Sequence, residues 1–139
     1  MEESNDVEFS YIASKIIKKG INNIDFSMLP EDRKSSILSK VALLLYKENH
    51  YEEAIKIIDM SGNKEMIKQW MEEFVSEKKS KYAALCAISL GNKEKIEELG
   101  MWCVDDGHYD VALVAFKSVN REDLMEFVRL NLFKIFRKF

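Results

Sequence analysis

The letters GNKE stand at positions 62–65 and again at 91–94. The same shift applied once more reaches positions 120–123, which read NRED, the same shape with Asn120 in place of glycine. A 29-residue period is the strongest constraint on what the chain can fold into. One such unit cannot bury an apolar face alone, so successive units must stack. The period divides the chain into units 51–79, 80–108 and 109–137.

Aligned on this period, the columns carry a packing pattern. Ala54, Ala83 and Ala112 coincide, as expected where two helices cross with no room for a larger side chain. Ile67, Ile96 and Met125 form an apolar column, as do Trp70, Leu99 and Val128. Phe74, Cys103 and Leu132 form a third, and Val75, Val104 and Phe133 a fourth. Positions 67, 70, 74 and 75 give the i, i+3, i+7, i+8 stripe of an amphipathic helix. Positions 54, 55, 57 and 58 do the same for the shorter helix before it.

The punctuation fits a helical hairpin. Gly62 and Gly91 suit the left-handed residue that ends a helix, and Asn120 is the next most tolerant choice. Asn63 and Asn92 are placed to cap the following helix. Glu65, Glu94 and Asp123 fall in first turns, where the helix dipole favours negative charge. Eight helices are expected, at 6–19, 30–48, 51–61, 64–78, 81–90, 93–106, 109–119 and 121–137. Pro30 suits the first turn of the second, and 20–29 is a loop. The predicted fold is an all-α right-handed superhelix, a solenoid of about four hairpins in one domain, 1–139. Within it, 1–5 are expected to be disordered, 6–48 to form an N-terminal helical pair and 51–137 the three repeats.

Composition narrows the function classes. With 47% hydrophobic and 32% charged residues, five glycines and one proline, the chain reads as helix-rich and globular. Its apolar runs fall short of the roughly 20 residues that span a bilayer. The acidic start MEESNDVEF is unlike a secretory signal, so a cytoplasmic location is expected. A net charge of −3 argues against a sequence-independent nucleic-acid binder, which needs a basic face.

The stretch LGMWCVDDGHYDVALVAFKSV (99–119) resembles a tetratricopeptide-type hairpin. The resemblance rests on Leu99, Gly100, Gly107, Tyr109, Ala112 and Phe116, with a weaker copy at Val41, Ala42, Asn49, Tyr51, Ala54 and Ile58. The 29-residue period is shorter than that family's, which is about 34 residues, and the closing proline is missing. In this the chain is closer to the short hairpins of coatomer- and clathrin-type solenoids. The resemblance covers about 30–137 and implies a curved scaffold that binds protein segments. Tyrosine at the turn would wedge against the preceding helix.

Several residues invite a chemical reading and are better explained structurally. His50 and His108 are equivalent turn residues two units apart, too distant to share a metal. Cys86 and Cys103 fall in apolar columns, where free cysteine behaves as a small hydrophobe. GNKEK lacks the glycines and the Lys-Ser/Thr ending of a phosphate loop. No catalytic residue, cofactor or metal site is therefore expected. The paired carboxylates Glu72–Glu73 and Glu97–Glu98 suggest an acidic groove for a basic peptide, set against a plain solvated face. Asp105–Asp106 is a third such pair.

Three apolar anomalies point to partner contacts. Tyr82, Leu85, Val111 and Val114 stand where the first unit has Glu53 and Lys56, making helix 81–90 apolar nearly all round; burial and a sticky surface both fit. Trp102 occupies a column otherwise held by Glu73 and Asn131, as a contact anchor would. The segment LNLFKIFRKF puts Phe133, Ile135, Phe136 and Phe139 where a polar capping face is normal. A second copy of the chain is the first expectation for its cover. A different protein, a self-cap and an interfacial membrane contact are the alternatives. The expected function is a non-enzymatic protein-interaction scaffold. The runner-up is a homo-oligomeric helical protein with a small ligand between repeats.

Overall fold

The computed structural model describes residues 2–20, 25–27 and 29–137, with backbone alone for 2–9 and 135–137. Among these residues the chain is all-helical: α1 (Glu2–Lys19), α2 (Glu31–Lys47), α3 (Tyr51–Ser61), α4 (Lys64–Ser76), α5 (Ser80–Leu90), α6 (Lys93–Asp105), α7 (Tyr109–Ser118) and α8 (Glu122–Arg137). The bounds follow the sequence expectation to within one or two residues everywhere except at the start of α1. α1 begins at Glu2, inside the stretch expected to be disordered, and the adjacent Glu2 and Glu3 suit a helix N-terminus electrostatically. Pro30 stands at the N-cap of α2, one residue outside the helix, with an extended ψ of 129°.

One left-handed residue follows each of α1 to α7. These are Gly20, Asn49, Gly62, Lys78, Gly91, Gly107 and Asn120. They fall into two series, 20, 49, 78, 107 and 62, 91, 120, each evenly spaced along the sequence. At four of these ends, paired hydrogen bonds close the last turn. Asn49 N donates to Tyr46 O and His50 N to Leu45 O, at 3.0 and 2.9 Å. The same pair recurs as Lys78 to Val75 with Lys79 to Phe74, Gly107 to Val104 with His108 to Cys103, and Asn120 to Lys117 with Arg121 to Phe116. This is the Schellman arrangement. A left-handed lysine costs roughly 1–2 kcal/mol. Two hydrogen bonds at about 1 kcal/mol each are enough to offset it.

The asparagine caps form as the sequence suggests. Asn63 Oδ1 accepts from Met66 N at 3.2 Å, and Asn92 Oδ1 from Lys95 N at 3.3 Å. Each cap stabilises its helix by about 1 kcal/mol.

The chain divides into two compact units, Met1–Ile67 and Lys68–Phe139. In the first, α2 packs against both α1 and α3. Ala13, Ile16, Leu38, Val41, Leu45 and Ile58 are among its buried side chains. The α2–α3 turn is closed by Tyr51, whose ring meets Tyr46 edge-on at 5.2 Å and whose hydroxyl donates to Asn49 Oδ1 at 2.8 Å. Ser35 Oγ donates to Ser61 O at 2.7 Å, fixing the start of α2 to the end of α3.

In the second unit α6 packs on α5 and α7, α7 packs on α8, and α5 also meets α7. Cys86, Cys103, Ala112, Ala115, Phe116 and Val128 are fully buried there. Ser80 is a buried polar residue, and its hydroxyl donates to Asp106 Oδ2 at 2.6 Å.

The aligned columns largely point inward. Ala54, Ala83 and Ala112 are each fully buried, and Trp70, Leu99 and Val128 nearly so. The fourth column does not hold. Val104 is buried, but Val75 is 42% and Phe133 57% exposed. A position at the edge of an apolar stripe is covered only where a neighbour reaches it, which periodicity cannot specify.

Gly100 marks a close approach of α6 to α7. A Cβ built there would lie 2.8 Å from Phe116 Cε1 and 3.3 Å from Ala115 Cβ. The Phe116 ring is fully buried and has little freedom to move away. Overpacking of this kind costs about 1–3 kcal/mol. The helix propensity of alanine returns about 1 kcal/mol. Gly100→Ala is therefore expected to destabilise by roughly 1 kcal/mol in urea unfolding, and Gly100→Leu by considerably more. Full stability of Gly100→Leu would show that α6 and α7 do not pack this closely.

Candidate interaction site

Trp102 lies on α6, whose covered face is Ile96, Leu99, Gly100, Cys103 and Val104. It sits beside that stripe and is half-buried, so part of the indole meets solvent. The other expected patch residues do not form one open surface. Val111 is buried on α7, Tyr82 and Leu85 are half-buried on α5, and Val114 is 54% exposed. Tyr82 is engaged locally: its ring meets Phe74 at 5.5 Å, and Lys81 Nζ lies 5.8 Å from its centroid. Every residue of α5 is buried or half-buried, which accounts for its all-round apolar character.

The carboxylates divide in the same way. Glu72 and Glu73 are exposed on α4. Glu97 Oε1 lies 3.0 Å from an Arg121 guanidinium nitrogen, within ion-pair range but not aligned as a hydrogen bond. Glu98 pairs with Lys95 at 3.4 Å. Arg121 also grips Asp123 with two parallel bonds, Nε to Oδ1 at 2.9 Å and an amino nitrogen to Oδ2 at 2.8 Å. The hydrogen bonds from Arg121 hold the Asp123 carboxyl down at about 2, and those same bonds, with the negative charge of Glu97 close by, push the guanidinium up. Arg121 thus ties α6 to the first turn of α8. An acidic groove built from all four glutamates would have to break the Glu97 and Glu98 pairs.

His50 and His108 stand at the N-caps of α3 and α7, half-buried and without a side-chain capping bond. They belong to different units. Among the described residues no three His, Cys, Asp or Glu side chains are grouped to hold a metal ion. No described helix is long and apolar enough to cross a membrane. Both cysteines are free and buried. Burial pushes the Cys86 thiol up to about 12. Burial likewise raises Cys103 to about 11, against a hydrogen bond to Ser80 O at 3.4 Å. Neither thiol is poised as a nucleophile.

The outer face of α8 carries residues that the sequence reading passed over. Phe127 is 43% and Leu130 53% exposed, and with Phe133 they occupy successive turns. The column comparison contains the signal: Phe127 stands where earlier units have Gln69 and Glu98, and Leu130 where they have Glu72 and Met101. The side chains of Ile135 and Phe136, and all of Phe139, lie outside the described residues. In the first unit an open cleft of about 320 Å³ is lined by Ser10, Ala13, Ser14, Ile17, Leu44 and Glu48.

Compared with family models, curated proteins and solved structures, the chain matches none. Its chemistry must be read from its own residues. At pH 8 both buried thiols are protonated, so iodoacetamide is expected to leave Cys86 and Cys103 unmodified in the native chain. Both should react in urea; rapid native labelling of either would place it at an open surface.

Proposed function

We propose that the chain is a right-handed solenoid of short helical hairpins with a 29-residue unit, related in shape to the tetratricopeptide-like superfamily. In this reading it works as a non-enzymatic scaffold for a protein or peptide partner in the cytoplasm. The observation that carries the fold half is the pair of left-handed series, 20, 49, 78, 107 and 62, 91, 120. The same turn geometry recurring at one interval is what a stacked repeat requires. The fully buried alanines 54, 83 and 112 support it from the packing side.

The binding half rests on Trp102. A tryptophan that is not fully buried retains some apolar area for a partner, and tryptophan is enriched among residues that dominate interface energy. Val114 on α7 and Glu72 on α4 are exposed as well. Capture from native lysate, read by quantitative mass spectrometry, compares the wild type with Trp102→Ala. One protein enriched by the wild type and lost from the variant is the expected result. A chain that recovers only itself would overturn the scaffold reading.

The cleft between α1 and α2 favours a second reading, a small ligand held by mixed polar and apolar walls. Under it, a compound from a metabolite panel raises the melting temperature of the wild type but not of Ser14→Trp, which fills the cleft. No shift with any compound would leave the scaffold reading without this rival.

A further inference from the structure

α8 is apolar on two sides. Met125 and Val128 are turned into the protein. Phe127, Leu130 and Phe133 stand on the other side and are all exposed. A single exposed apolar residue needs no explanation, but three on successive turns of one helix form a contiguous stripe. At a rise of about 1.5 Å per residue the stripe is about 9 Å long.

Its surroundings indicate what covers it. The stripe reads the same in either direction, phenylalanine at each end and leucine in the middle. Glu126 borders one end and Lys134 the other, and both are exposed. The helix as a whole is acidic at its start, with Glu122, Asp123 and Glu126, and basic later, with Arg129 and Lys134. Laid against a second α8 running the opposite way about Leu130, Phe127 meets Phe133, Leu130 meets Leu130, and Glu126 meets Lys134. A parallel pairing would oppose Glu126 to Glu126 and Lys134 to Lys134. The intrahelical contact from Arg129 to Glu126, at 3.9 Å, is loose enough to leave that carboxylate available. Self-complementarity about a two-fold axis is what an isologous dimer contact needs, and an unrelated partner would not impose it.

We propose that the occupant of this face is a second copy of the chain, held in an antiparallel α8–α8 pair centred on Leu130. The pairing stands independently of the scaffold reading. Stable interfaces usually bury about 1200 Å² or more. So short a stripe is small beside that, and the dimer dissociates on dilution.

The full-length chain provides the test. Mild oxidation of Leu130→Cys is expected to give a covalent dimer rapidly, because the axis brings residue 130 against its own copy. Phe133→Cys should cross-link to itself much more slowly. Cys86 and Cys103 stay silent in both because they are buried. In sedimentation velocity, Glu126→Lys and Lys134→Glu each weaken dimerisation roughly ten-fold, since each opposes like charges twice. Mixed in equal amounts, the two variants pair again, because the swapped charges then match. Circular dichroism confirms that these exposed substitutions leave the helices intact. A wild type that stays monomeric at high concentration would sink the proposal. So would a dimer indifferent to both charge reversals, or equally fast cross-linking at 130 and 133.

Discussion

One constraint recurs at the end of every helix from α1 to α7: a residue of positive φ, the conformation that closes a helix C-terminus. The rest of the structure depends on these helix ends. Among the described residues, seven left-handed ones separate eight helices, and only four of them are glycine. At Asn49, Lys78 and Asn120 the backbone is held by the paired bonds of the closing turn, not by the absence of a side chain. The carbonyls accepting the longer-range bond belong to Leu45, Phe74, Cys103 and Phe116, each fully buried. The turn and the core are therefore set by the same residues: moving one of these side chains out of the interior also opens the cap.

Close packing follows from where the turns place the helices. Small residues are drawn into the interior, with Ala54, Ala83 and Ala112 fully buried and Gly100 close against Phe116. Polar groups drawn into these contacts are satisfied locally. Ser80 donates to Asp106 while its carbonyl accepts from Cys103, and Ser61 receives Ser35. Satisfied groups of this kind avoid the penalty of about 1–3 kcal/mol for a buried donor or acceptor left alone. The raised thiols of Cys86 and Cys103 are the same fact seen chemically: the space that packs them also denies them charge.

The departures from the aligned columns lie on the outside of the helices. Trp102, Val114 and the α8 stripe differ from their equivalents in other units by being apolar where those are polar or small, or by being uncovered where those are covered. Arg121 works in the opposite sense. It engages Glu97 and Asp123, so charges that look available in sequence are already committed.

The sequence by itself determined the helices, their ends and most of the interior. Period, glycine and asparagine placement and acidic first turns are local signals, and each acts through the backbone of a few neighbouring residues. The repeat alignment put Phe74 and Cys103 in one column, and both are buried. It put Val75 and Val104 in another, where one is open and the other covered. It also contained Phe127 and Leu130 without marking them, because an apolar residue in a helix reads alike whether it faces a core or water. Only the tertiary structure decided those cases, along with the covering of Val111 and the capture of Glu97 by Arg121. Burial and ion pairing depend on which other segment arrives at a given face, and that depends on contacts far apart in the chain.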